Sequence, residues 1–264
     1  MVDISNIKKQ IVVQEQNKVS IKQIIEAQVN ELKKCLPSDI TPERMCRIAL
    51  NNYRQNPKLA DCTPESFIAA LFMSAQLGLE PGVGGQAYLI PYNQSKKING
   101  QWVSVMNVNF QIGYQGLVKL FYRNVNASIL EMQKVCENDK FDYQLGTDGY
   151  IKHTPALKDR GEVIAYYAIA KMKDGNSSFK IMSKEECIEH GKKHSKSFAD
   201  GSSPWQTEPD AMCMKTVLIQ LLKTMPKSIT IQEALSMDNT TKLSVSENML
   251  DVKDVTEWSD NNAD

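Results

Sequence analysis

The stretch from Gly78 to Arg123, GLEPGVGGQAYLIPYNQSKKINGQWVSVMNVNFQIGYQGLVKLFYR, constrains this chain more than any other. It opens on the end of a helix whose apolar run, FIAALFMSAQLGL, stops at Gly78 and Pro81. Alternating strands follow over Gln86–Tyr92 and Trp102–Ile112. They are joined by the basic linker NQSKKINGQ, in which Asn99-Gly100 is a hairpin turn signal. Helical spacing then returns over Gly113–Asn124, and this second helix carries Lys119 and Arg123. Helices and hairpin-linked strands in separate runs define an α+β fold, a small antiparallel sheet with a hairpin packed on helices.

The flanks fill in the same plan. Apolar residues at helical spacing predict a helix over Val19–Cys35, with a looser arm before it. Thr41-Pro42-Glu43 and Thr63-Pro64-Glu65 are matching helix starts: a capping Thr, a Pro in the first turn, and an acidic residue at the positive helix end. Strands are expected at Ala127–Val135, Phe141–Leu145, Tyr150–His153, Val163–Met172 and Ser178–Met182, with a tight turn at Lys173–Asn176. Ser183 and Glu186 form a capping box for the next helix. A Gly/Ser-rich loop separates it from a last strong helix over Asp210–Met225, stopped by Pro226. The expected organisation is an N-terminal arm and helix (1–40), a core (41–228) and a flexible acidic tail (229–264).

With 264 residues, 42% of them hydrophobic, the chain can bury one substantial core. No apolar run is long enough to span a membrane, and the opening MVDISNIKKQIVVQEQ is not a secretory signal. Six cysteines without a CxxC pair read as reduced thiols, and the expected compartment is the cytoplasm. The formal net charge of zero conceals a segregation. Eight acidic residues against Lys242 and Lys253 give Gln232–Asp264 a charge of −6, leaving +6 on the rest. An acidic tail on a basic body recurs in nucleic-acid-binding proteins, and a merely solubilising tail is the competing reading.

Catalytic signatures are weak. No GxxxxGK[ST] motif occurs, which argues against an ATP-driven machine. Gly82-Val83-Gly84-Gly85 precedes a strand instead of a helix, so it lacks a phosphate-binding helix terminus and reads as a mobile turn. Cys187, His190 and His194 share a helix face, but Cys187 fits a buried position better than a metal site. Asp139, Asp142 and Asp148 cluster in a turn-rich stretch that does not suit two-metal nuclease chemistry. Neither a metal nor a cofactor is expected, nor enzyme activity.

The basic residues say more. Lys119 and Arg123 share a helix face with Gln115 one turn before them, flanked by Tyr114 and Tyr122. On the last helix Lys215, Thr216 and Lys223 fall near one stripe, opposite Val217, Leu218, Leu221 and Leu222. Lys192, Lys193 and Lys196 add a third cluster. Each lysine alone is an ordinary surface charge. Three clusters with Gln, Thr and Tyr between them suit phosphate contacts and stacking on unpaired bases.

Several of these runs also carry a family likeness. LGLEPGVGGQAYLIPY and VNFQIGYQGLVKLFYR, followed in order by FDYQLG, YIKHTP, VIAYYAIAKMKDG, SPW and MCMKTVLIQLLKTMPKS, resemble the RecT family of phage single-strand annealing proteins, in particular those of Gram-positive phages and prophages. The likeness spans roughly Thr63 to Ser228. It implies a fold distantly shared with Redβ, binding to single-stranded DNA and to annealed duplex, and annealing without ATP as a ring or helical homo-oligomer. It also implies a 5′→3′ exonuclease and the host single-strand-binding protein as partners. A single-strand-coating protein that does not anneal is the alternative. The family's DNA groove maps onto Gln111, Tyr114, Gln115, Lys119, Arg123, Lys215, Thr216 and Lys223, and more loosely onto Lys192, Lys193, Lys196 and Trp205.

Overall fold

The computed structural model describes residues 21–98, 101–195, 197–201, 203–225 and 229–238. The N-terminal arm, the Asn99-Gly100 turn, Lys196 and the acidic segment past Asp238 lie outside the described residues. The chain divides into two compact units, one built from the chain up to Ile112 together with the chain from Met237, the other from Gly113–Ser236.

In the first unit, α1 (Ile21–Ala27) and α2 (Val29–Cys35) replace the single helix expected over Val19–Cys35. The break is a turn at Gln28, whose N–H bonds Ile25 O at 3.0 Å. It lets Ile25 and Leu32 both reach full burial among α1, α2 and their neighbours α3 (Pro42–Gln55) and α4 (Pro64–Leu77). Thr41 caps α3 by accepting from Arg44 N at 3.3 Å. Thr63 does not cap α4 with its side chain; its hydroxyl instead donates to Asn107 Oδ1 (2.9 Å). Ser66 Oγ accepts from Val108 N (2.9 Å), so the first turn of α4 is tied to the strand beside it. Eleven of the fourteen residues of α4 are buried, as expected of a helix that is apolar all round. Burial of Phe67, Leu71 and Phe72 stabilises the unit by about 1.5–3 kcal/mol each. The helix ends on Gly78 at φ 59°, with Leu79 N returning to Ser74 O at 2.9 Å.

The strands that follow, β1 (Ala87–Ile98) and β2 (Gln101–Ile112), pair antiparallel in unbroken register from Ala87↔Ile112 to Ile98↔Gln101. The ribbon is longer than the sequence suggests, because most of the polar linker is strand. The glycine loop before β1 is anchored, not mobile. Asn52 Nδ2 donates to Pro81 O at 2.8 Å, and Gly82 N donates to Ala87 O at 2.8 Å. Gly82 has φ +75°, and a Cβ there would lie 2.8 Å from Asn52 Oδ1, so any other residue would be strained and would displace Asn52. Arg44 completes the anchor through an ion pair with the buried Glu80.

The second unit starts with α5 (Tyr114–Tyr122) and is centred on an antiparallel sheet of order β3–β6–β7, made of β3 (Ala127–Cys136), β6 (Val163–Met172) and β7 (Ser177–Ser183). A smaller pair, β4 (Lys140–Gln144) and β5 (Tyr150–Thr154), lies between β3 and β6 in sequence. Helices α6 (Lys184–His194), α7 (Pro204–Thr207) and α8 (Pro209–Thr224) follow. The expected capping box starts α6: Ser183 Oγ accepts from Glu186 N (3.1 Å), and Glu186 Oε2 accepts from Ser183 N (2.8 Å). α8 packs on all three strands of the sheet, burying Cys213, Val217, Leu218, Leu221 and Leu222 with Tyr166, Ala168 and Ala170 of β6. Beyond the predicted core boundary at Ser228 the chain forms one more helix, α9 (Ile229–Met237), with Ile231 and Ala234 buried. The α+β class and the small antiparallel sheets match the sequence reading.

Candidate nucleic-acid interface

Three helices of the second unit end on cations, and these ends form the candidate site. α5 buries Gly116, Leu117, Leu120 and Phe121, which turns Gln115, Lys119 and Arg123 onto its outer ridge at four-residue spacing. Tyr114, 41% exposed, stands beside them. Tyr122 is also exposed, and its hydroxyl accepts from Leu130 N (3.1 Å), fastening α5 to β3. The last turn of α6 holds Lys192, Lys193 and His194, and that of α8 holds Lys223. Cations at helix C-termini are stabilised by the helix dipole, so the placement costs the fold little.

Two observations describe the surroundings of these ends. Arg123 and Met225, just past the ends of α5 and α8, line one open cleft of about 560 Å³ with Asn124, Asn126, Asp174, Ser177 and Ser178. At the end of α6, His190 Nε2 lies 3.0 Å from Gln220 Nε2 of α8, and the His190 and His194 ring centroids are 4.4 Å apart. Burial holds the His190 imidazole below its ordinary pKa, and the charges of His194, Lys223 and Lys193 push it the same way. The ends of α6 and α8 therefore bring His190, His194, Lys193 and Lys223 within electrostatic reach of one another. Sequence reading singled out His190 and His194 only as metal ligands. The missed signal was that all three basic clusters close helices, with Gln220 three residues before Lys223.

The remaining candidates have different surroundings. Thr216 is 6% exposed, and its hydroxyl donates to Met212 O (2.9 Å) within α8. Trp205 is 7% exposed; its ring rests on Gly191, where a Cβ would meet it at 2.7 Å, and stands 5.4 Å from Phe198. Both residues belong to the packing that holds α6 and α8, and neither offers a surface for stacking. Lys215 is half-buried on α8. Gln111 is half-buried on β2, in the first unit.

The chemistry considered and set aside has structural explanations. Asp139 has a fully buried side chain that accepts from Arg160 Nη2 (2.6 Å), Cys136 N (2.8 Å), Ala156 N (2.8 Å) and Arg160 Nε (3.0 Å), with His153 Nε2 at 3.1 Å. The Arg160 guanidinium above all holds it far below the usual carboxylate range. It is the clamp of the β4–β5 region, around which Phe141, His153 and Tyr167 pack. Cys187 and Cys213 meet across α6 and α8 as buried thiols. Among the described residues no three His, Cys, Asp or Glu side chains converge as metal ligands would.

With this geometry, comparison with known proteins is decisive. The RecT family model matches residues 43–256. The chain belongs to the RecT family. It is also 37% identical to Protein RecT of Escherichia coli (strain K12) over 216 residues, 81% of this chain and 78% of that protein. The family match includes α5, α6 and α8 and continues into the acidic segment, past the Ser228 limit read from the sequence motifs. The chain is thereby a DNA-binding recombination protein of the single-strand annealing kind. No helix among the described residues is long and apolar enough to cross a membrane.

Proposed function

We propose that the second unit holds single-stranded DNA by its phosphates along the ends of α5, α6 and α8, and that the protein anneals complementary strands without ATP. The reading is supported most by the basic ends of three helices in a RecT-family chain, with Lys193 and Lys223 both acting on His190 and Arg123 beside the cleft at the ends of α5 and α8. Cations fix the backbone while leaving the base edges open, so a second strand tests its register by base pairing, and the protein needs no sequence code. Lys119, Lys215 and Lys192 extend the track; Lys196 joins it by its place in the sequence. Tyr114 and Gln115 offer a stacking face and amide contacts.

Each protomer has only a few such cations, enough for a handful of nucleotides. The active form is therefore a head-to-tail homo-oligomer, ring or helix, whose repeated interface lines up the tracks. The N-terminal region, residues 1–40, contributes to that contact, and the acidic segment meets a protein partner, such as the 5′→3′ exonuclease that supplies the single strand. The protein works in the cytoplasm of a bacterial host, and no catalytic step is assigned to it. Mixing the protein with one labelled strand and then its complement tests the reading. Duplex formation faster than the spontaneous rate supports it, retention of the strands unpaired supports the coating alternative, and shortening of the strands reveals a nuclease.

A further inference from the structure

The structure points to a proton-linked phosphodiester site at the joined ends of α6 and α8: we propose that His190, beside the His194 ring and in the field of Lys193 and Lys223, takes up a proton when a DNA phosphate lands there. This rests on the reading of that patch as part of the DNA track.

The geometry carries the argument. Two imidazoles with centroids 4.4 Å apart cannot both be charged without mutual repulsion, and Lys193 and Lys223 add to it. In the free protein, Gln220 Nε2 stands 3.0 Å from His190 Nε2. An amide nitrogen donates, so in this orientation Nε2 accepts. Rotation of the Gln220 amide by a half-turn presents its oxygen instead, so the same residue serves the imidazolium. His194 is exposed and His190 half-buried, so an anion reaches the pair from solvent. The charged groups acting on His190 are all cationic: His194 and Lys193 from α6 itself, and Lys223 from α8. Of the acidic residues of α6, Glu185 and Glu186 are in its first turn, where Lys184 pairs with Glu162 of the β6 side at 3.6 Å, and Glu189 is exposed next to His190, one turn before Lys193. A phosphate at the patch supplies the missing negative charge. It cancels the repulsion, restores the histidine pKa upward, and accepts charge-assisted bonds from the imidazolium. The third histidine, His153, is buried against Asp139 and takes no part.

Linkage fixes the sign. Protonation is disfavoured in the free protein and favoured in the complex, so binding takes up protons as pH falls into and below the ordinary histidine range. Affinity then rises by up to about tenfold per pH unit for each proton taken up, at constant salt.

The experiment is fluorescence anisotropy of a labelled oligothymidylate at fixed ionic strength from pH 5.5 to 8.5, with wild-type protein, His194→Gln and His190→Gln, each checked for folding by circular dichroism. Tighter wild-type binding at low pH that flattens in the variants supports the proposal. Histidine C2-proton titrations with and without the oligonucleotide give a second readout, in which the His190 pKa rises on binding. Binding that is equal across the pH range, or a pH dependence unchanged in both folded variants, overturns the proton-linked site and leaves the lysine track standing. Absence of binding at every pH overturns the track itself.

Discussion

Lys223 is the residue on which the interface turns: it closes α8, acts on His190, and stands two positions before Met225 in the cleft wall. Its replacement by Gln should weaken binding to all single-stranded sequences alike and lower the salt-dependence slope by about one unit, measured by titration at several salt concentrations. Gly191 matters for a different reason. Gly191→Ala drives a methyl group into the Trp205 ring and should destabilise the second unit by about 1–3 kcal/mol in denaturant titration. Asp139 sets the acid limit. Its pKa is depressed in the folded state, so its stabilising effect is present above the ordinary aspartate pKa and is lost as pH falls below it. Asp139→Asn should lower the unfolding midpoint at pH 7 and reduce the further loss on going to pH 3. The helical spacing of Gln115, Lys119 and Arg123 was legible because a period assigns residues to a face. The burial of Trp205 and Thr216 was not, because it depends on Gly191 and on helix–sheet contacts far away in sequence.

At the scale of elements, legibility followed local chemistry. The capping box at Ser183 and the Thr-Pro starts at Thr41 and Thr63 located three helix beginnings, since those signals are spent within one turn. β6 was bounded correctly because alternation and the Lys173–Asn176 turn both mark it. The outer half of the β1–β2 ribbon was read as linker, because Asn93–Ile98 is polar and is held by pairing with its partner strand. The Gln28 break escaped because packing imposes it; a small helix past Ser228 was one reading of the tail, but its start directly at Ile229, with no linker, is set by packing too. α9 has a direct consequence. Truncation after Ser228 removes the buried Ile231 and Ala234 and the Asp238 carboxylate that accepts from Ile112 N at 2.7 Å. That truncation should destabilise the protein by several kcal/mol, since burial of Ile231 alone stabilises by about 1.5–3 kcal/mol. Truncation after Asp238 should leave folding and annealing intact, and loss of annealing by that folded protein would return the acidic segment to the DNA-handling machinery.

For the whole molecule, the α+β class and the basic character of the body were visible in the sequence, whereas the division at Ile112 and Gly113 was not, because no Gly/Pro/Ser-rich linker marks it. The approach of the α6 and α8 ends at His190 and Gln220 was likewise invisible, since it is a property of the tertiary fold. If protomers join their tracks head to tail, the mass of the complex should grow with the length of the strand, as mass photometry would record. The most direct test of the account compares wild type with the triple variant Arg123→Gln, Lys193→Gln, Lys223→Gln in a donor–acceptor annealing assay with complementary oligonucleotides and no nucleoside triphosphate. Wild type should accelerate pairing, and the folded variant should be slower by at least about tenfold. A folded triple variant that anneals at the wild-type rate would contradict the claim that these helix ends hold the strand.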